Sequence, residues 1–349
     1  MGLTARIAGA VAGAAGIAAA GTALRVAQRR RVISRREVDS TPFGTLRSPA
    51  HTVVADDGVP LHVEIDEPGS RGSALTIVFV HGYALNLDCW HFQRAAFRGL
   101  VRTVFYDQRS HGRSGRGAIA EGTVDQLGRD LKGVLDAVVP DGPVVLVGHS
   151  MGGMTIVALA EQFPELFGDK VAGVALISTT AGGIDPSRLL FPMVPRRLSS
   201  GITDGTVRTL ARGHRAVDGV RRLGRSIATV VTDAYAFGDA VPKPYVDFVD
   251  DMLSATPFQV VAEFFPGIRE LDKFDHVGVL GKVPTTVIGG TADKVTSIGH
   301  SRKLHSRIPG SSLVECEGAG HMVILERHGQ VNAALDQLLA AASSAAGAR

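Results

Sequence analysis

The chain has 349 residues, 45% of them apolar, enough for one large α/β domain with a sizeable core. Its two cysteines, Cys89 and Cys316, lie far apart, which excludes a disulfide-stapled secreted fold. Twelve histidines show no ligand spacing, so no metal is predicted, and a net charge of only +3 hides an uneven distribution.

Residues 1–40 come first. Ile7 to Leu24 is an uncharged 18-residue stretch, dominated by Ala and Gly, with four large aliphatics (Ile7, Val11, Ile17, Leu24); six arginines follow between Arg25 and Arg36. The length suits a membrane span, although the glycines make insertion marginal. The positive-inside rule would keep the arginines, and the domain behind them, on the cytoplasmic side. We therefore expect membrane association through this segment. The alternatives are a solvated extension of a cytoplasmic protein, or a signal peptide cleaved near Ala18-Ala19-Ala20, whose charge would lie on the wrong side of the apolar run.

Ser40 to Pro49 is a Pro/Ser/Thr connector. The core, expected over 41–180 and 272–345, opens with strands around His51–Ala55 and Leu61–Ile65, joined by the turn Asp56-Asp57-Gly58. Strands and helices then alternate. Leu75–Val80, Thr103–Tyr106, Val144–Val147 and Val171–Ile177 read as buried strands. Asp88–Phe97, Val124–Val138 and a segment ending near Phe163 read as helices. Such alternation means a mostly parallel, doubly wound sheet covered on both faces. From 181 to 271 no buried strand is visible, only helix-like pieces between prolines, a stretch far longer than ordinary loops and read as a helical lid. Alternation resumes with Thr285–Ile288, a helix around His300–Ile308, Ser312–Cys316 and a closing helix from about Met322 to Ala342.

Gly148-His149-Ser150-Met151-Gly152 follows the Val144–Val147 run, placing a serine where a strand turns sharply into a helix. A Cβ at Gly148 or Gly152 would clash there, so the pattern describes a strained elbow presenting a nucleophile. A serine hydroxyl needs a base, and the base needs a carboxylate to orient it. Asp293 and His321 follow the last two strands in that order, and Asp185 is the reserve acid. The oxyanion of an acyl-transfer intermediate needs two backbone donors, for which Met151 and Tyr83 N–H are the natural choices. His81, His149 and the Asp107–Ser114 loop read as supports rather than as catalytic groups.

The segments HGYALNLDCW (81–90), DQRSHGRS (107–114), GHSMGG (148–153), GTADKVT (290–296) and GAGHM (318–322) together resemble the α/β-hydrolase superfamily. They are most similar to its bacterial esterase, lipase and haloperoxidase-like branch with a helical cap, from about His51 to Ala342. The resemblance implies Ser150 as nucleophile, His321 as base, Asp293 as orienting acid, an oxyanion hole at Tyr83 and Met151, and no cofactor. Haloalkane dehalogenases and epoxide hydrolases of this fold carry an aspartate at the elbow, so Ser150 argues against both.

Between Pro186 and Arg225 stand nine arginines and two aspartates, formally +7, near Phe191 and Met193. That face suits anionic lipid or an acidic acyl substrate, or is simply solvated. No nucleic-acid recognition module accompanies it, so nucleic acid is not an expected partner. Phe258, Phe264 and Phe265 either line an acyl pocket or anchor the lid. The expected function is a serine hydrolase of small-molecule carboxylic esters with lipid-like or medium-chain acyl groups. A thioesterase, a carbon–carbon bond hydrolase and a perhydrolase would use the same triad, and a non-catalytic membrane-associated binding protein is the alternative of another class.

Overall fold

The computed structural model describes residues 42–69, 73–118, 122–184 and 225–347. The apolar segment Ile7–Leu24, the arginine run, the reserve acid Asp185 and the basic stretch 186–224 lie outside the described residues. Among those described, no helix is long and apolar enough to cross a membrane.

Eight strands form one sheet: β1 (Ala50–Val54), β2 (Pro60–Asp66), β3 (Ser73–Val80), β4 (Val101–Tyr106), β5 (Val144–His149), β6 (Val171–Ile177), β7 (Thr285–Gly290) and β8 (Ser312–Cys316). Their spatial order is β1-β2-β4-β3-β5-β6-β7-β8. The β1–β2 and β2–β4 pairs are antiparallel and the rest are parallel, so the sheet is mostly parallel, as expected from the sequence. Composition follows position. β5, β6 and β7 are buried along their whole length, which suits the apolar runs of β5 and β6, whereas the edge strand β1 is largely exposed.

Side chains alternate across each strand, so one sequence feeds two cores. Ile77, Phe79, Val145 and Val147 join a cluster on one face. It is covered by α1 (His91–Phe97), α8 (Val323–Glu326) and α9 (His328–Gly347). Val78, Val80, Leu146 and Val174 face the other way. There they meet α2 (Val124–Val138), α3 (Met151–Gln162) and α7 (Ile298–Arg307). Thr123 caps α2 by accepting from Gln126 N–H at 3.1 Å.

The lid contributes α4 (Arg225–Ala236), α5 (Lys243–Ala255) and α6 (Phe258–Arg269). Its two ends meet: Gly182 bridges Asp272, and Lys273 N–H donates to Ala181 C=O at 2.7 Å. Prolines precede α5 and α6, but Pro266 stands inside α6, near enough its C-terminus that only a last turn follows. Phe43, from the connector, stacks on Phe248 of α5 at 4.6 Å and edge-on against Phe92 of α1.

Two helices differ from their sequence-based expectation. Asp88–Phe97 divides into a tight 3₁₀ turn, Leu87–Trp90, and α1. The closing helix is broken at Arg327, whose φ of −126° and ψ of 38° separate α8 from α9. Tertiary bonds explain the break. The Glu326 carboxylate turns back to accept backbone N–H groups, and Arg327 donates to Asp239 and to Glu317 C=O. Hydrophobic periodicity, continuous through this segment, carries no trace of them.

Candidate active site

β5 ends in a sharp turn into α3. Ser150 sits at φ 52° and ψ −119°, a conformation that costs a non-glycine residue about 1–3 kcal/mol. Neighbours enforce it. Ser150 N–H donates to Ile177 C=O at 2.9 Å, and Thr179 Oγ1 donates to Ser150 C=O at 2.6 Å. The flanking glycines are obligatory: a Cβ on Gly148 would lie 2.5 Å from Gly152 O, and one on Gly152 would overlap Val80 O.

The loops after β7 and β8 pack backbone to backbone. Ala292 N–H donates to Ala319 C=O at 2.9 Å, and a Cβ on Gly290 would lie 2.5 Å from Gly320 O. This closeness brings Asp293 to His321. His321 Nδ1 donates to Asp293 Oδ2 at 2.9 Å, which leaves Nε2 as an acceptor facing Ser150 Oγ at 3.0 Å. Three residues distant in sequence thus form one hydrogen-bonded line, and all three are buried. Asp293 Oδ1 accepts from Val295 N–H (2.7 Å) and Thr296 N–H (2.9 Å), while Oδ2 also accepts from Thr296 Oγ1 (3.0 Å). Burial alone would raise the Asp293 pKa; the neighbouring imidazole and these bonds outweigh it and hold the carboxyl below its ordinary value.

The loop after β3 lies against the serine. A Cβ on Gly82 would be 3.2 Å from Ser150 Cβ, so the Gly82–Tyr83 peptide runs beside Ser150, and Met151, the next residue, opens α3. The Tyr83 side chain has a second task that its sequence position does not announce. Its hydroxyl donates to Val261 C=O on α6, and Thr256 Oγ1 donates to Ala84 C=O at 3.0 Å. The lid is therefore hydrogen-bonded to this loop. Phe258 is buried, and Phe264 joins Met151, Leu127 and Val260 in an apolar cluster that contains Tyr83. Phe265 is fully buried in the same helix.

His81 and His149 are each hydrogen-bonded to backbone, His149 through Nε2 alone. His81 Nε2 accepts from Gln108 N–H at 2.9 Å, so its proton sits on Nδ1 and goes to Gly82 C=O at 2.8 Å. His149 Nε2 donates to His321 C=O at 2.9 Å. Burial pushes the pKa of His81 to about 4 and that of His149 to about 3, so both are neutral braces. Asp107 accepts from Leu87 and Arg113 N–H, each at 2.8 Å, and Arg109 grips Asp130 and Asp57; the 107–114 loop is a bonded floor. Among the described residues, no group of three or more His, Cys, Asp and Glu could hold a metal.

Sequence reasoning missed two residues. Thr296 stands three places after Asp293, a spacing at which a carboxylate commonly accepts the +2 and +3 backbone N–H groups; that signal was available. Glu326 had no local signal, because its partners are on the lid and on the histidine loop.

A strained serine elbow on an eight-stranded α/β sheet thus stands in line with a histidine and a carboxylate at the ends of later strands. The chain belongs to the alpha/beta hydrolase family, whose model matches residues 77–334. It is 26% identical to the enol-lactonase of Burkholderia xenovorans LB400, with a TM-score of 0.66 over 84% of this chain and 100% of that one. A thermophilic esterase from Thermogutta terrifontis has the same TM-score at 22% identity, over 85% and 100% of the two chains, and attests the fold alone. Epoxide hydrolase A of Mycobacterium tuberculosis is 27% identical over 329 residues, 84% of this chain and 98% of that protein. These relationships make the chain a hydrolase of this fold.

Proposed function

We propose that the protein is a serine hydrolase that cleaves carboxylic esters of apolar, lipid-like or medium-chain acyl groups. The observation that carries this reading is the unbroken line Ser150 Oγ–His321–Asp293, with His321 Nε2 free of its own proton and aimed at the hydroxyl. Ser150 attacks the ester carbonyl as His321 takes its proton. Tyr83 and Met151 N–H stabilise the oxyanion, His321 returns the proton to the leaving alcohol, and a water activated by the same imidazole releases the acid. Asp293 fixes the tautomer throughout. The apolar cluster around Tyr83, Met151 and Phe264 supports an uncharged acyl chain. A lactone is an internal ester and would follow the same course. Epoxide opening is a poor fit, because a serine ether, unlike a carboxylate ester, has no carbonyl through which water can release it.

The test is hydrolysis of p-nitrophenyl esters of rising chain length by wild type and Ser150→Ala, alongside fluorophosphonate labelling. Loss of about 10⁴-fold or more in kcat in the variant, with an optimum at one chain length, supports the reading. Equal rates in both proteins would exclude the serine mechanism for these esters.

From the sequence of residues 7–36 we also propose attachment to a membrane surface from the cytoplasmic side. Fractionation of the full chain beside a version beginning at Ser40 tests it. Equal partition into the soluble fraction would overturn it.

A further inference from the structure

The Glu326 carboxylate receives three backbone N–H groups from two segments that the triad alone would leave unconnected. Oε1 accepts from Gly320 at 2.7 Å, the residue immediately before His321. Oε2 accepts from Gly238 at 2.9 Å and Asp239 at 3.2 Å, which follow lid helix α4. The two segments lie in backbone contact: a Cβ on Gly320 would collide with Gly238 N and lie 2.5 Å from Phe237 C. Met322 N–H, on the other side of His321, donates to Ala236 C=O at 2.8 Å. His321 is thus bracketed by two attachments to the same lid strap, and Glu326 is the only charged side chain accepting from both segments among the described residues.

We propose that Glu326 is a positioning residue for His321: it locks the Gly320–His321 peptide to the lid strap and thereby sets the distance from Nε2 to Ser150 Oγ. The inference rests on the serine-hydrolase reading above. A carboxylate suits the role because both of its oxygens accept. The isosteric amide has one acceptor and one NH₂ group, so in either orientation it turns a donor toward a donor. Either the histidine loop or the strap is then released, and a displacement near 1 Å at a reacting group is enough to slow chemistry by about 10²-fold.

The experiment uses the full chain with Glu326→Gln and Glu326→Asp, counting competent sites by fluorophosphonate titration. We expect Glu326→Gln to lose about 10- to 100-fold in kcat per titrated serine with KM within about 3-fold of wild type. A wild-type kcat per titrated serine would overturn the proposal, whether or not fewer sites titrate, since a merely structural role lowers only the number of competent sites. If Glu326→Gln does not fold, Glu326→Asp takes its place: its shorter arm cannot reach both segments, so a several-fold loss per site supports the proposal and an unchanged value overturns it. Failure of the serine-hydrolase reading would show in wild type itself, as an absence of ester turnover. The rate at which the probe labels Ser150 then replaces kcat, with a tenfold slower variant supporting the role and an equal one refuting it.

Discussion

Two of the buried polar clusters on this sheet are built on opposite principles. At the antiparallel end, Arg94 of α1 donates from all three guanidinium nitrogens, two to Asp66 and one to Glu64. The same carboxylates also receive Ser48. Every strong donor there has an acceptor, and the arrangement is finished. At the parallel end, the line from Asp293 through His321 stops at Ser150 Oγ, whose one hydrogen-bond partner among the described residues is His321 Nε2. A closed network holds strands together; the open-ended one is anchored at the carboxylate and ends at a hydroxyl held in a strained turn. Buried charge is common to both; the open end at Ser150 is what separates them.

This contrast predicts a double dissociation. Asp293→Asn, with the fold retained and the thermal midpoint within a few degrees of wild type, should lose about 10³- to 10⁴-fold in kcat toward a p-nitrophenyl ester, because the amide no longer holds the productive tautomer. Arg94→Met should do the reverse. It strands Glu64 and Asp66 in the interior, costing about 3–5 kcal/mol in urea unfolding, while kcat per fluorophosphonate-titrated serine stays at the wild-type value. Loss of per-site activity in Arg94→Met would erase the distinction. Thr296→Val sharpens it within the site: removing the hydroxyl shared by Asp293 Oδ2 and His321 Nδ1 should lower kcat about 10-fold with rescue by Thr296→Ser.

The smallest effect is the most diagnostic of the closed network. Burial would raise the Asp66 pKa, but the bonds from Arg94 and Ser48 hold it below the ordinary carboxylate value. Its stabilising contribution is therefore complete above about pH 4 and is lost as pH falls through the lowered value. The stability gap between wild type and Asp66→Asn, read from urea midpoints, should narrow on acidification below about pH 4. A gap that is constant with pH would mean that the carboxylate's charge contributes nothing.

The elbow could be read from sequence because its chemistry is local: Gly148 and Gly152 are required by atoms that the turn itself brings close. Asp293 and His321 were legible for a related reason, since parallel strands deliver their following loops to one edge of the sheet. Arg94 was not. It looks like an ordinary charged position in a seven-residue helix, and its partners arrive from a strand 28 and 30 residues earlier. Glu326 and the break at Arg327 were hidden in the same way, by bonds to a lid strap nearly 90 residues away. Periodicity reports which face of an element is buried, not which distant backbone group a carboxylate will meet. The Tyr83 hydroxyl makes the same point, because its bond to Val261 spans 178 positions.

The closed stem of the lid, where Gly182 bridges Asp272 and Lys273 reaches back to Ala181, has an evolutionary reading. A segment that departs and returns at one point leaves the register of β6 against β7 indifferent to its length, so natural variation can replace or resize it without disturbing the sheet. What limits that freedom is elsewhere. Any replacement must still offer a carbonyl to Tyr83, a donor to Ala84 C=O, and two N–H groups to Glu326.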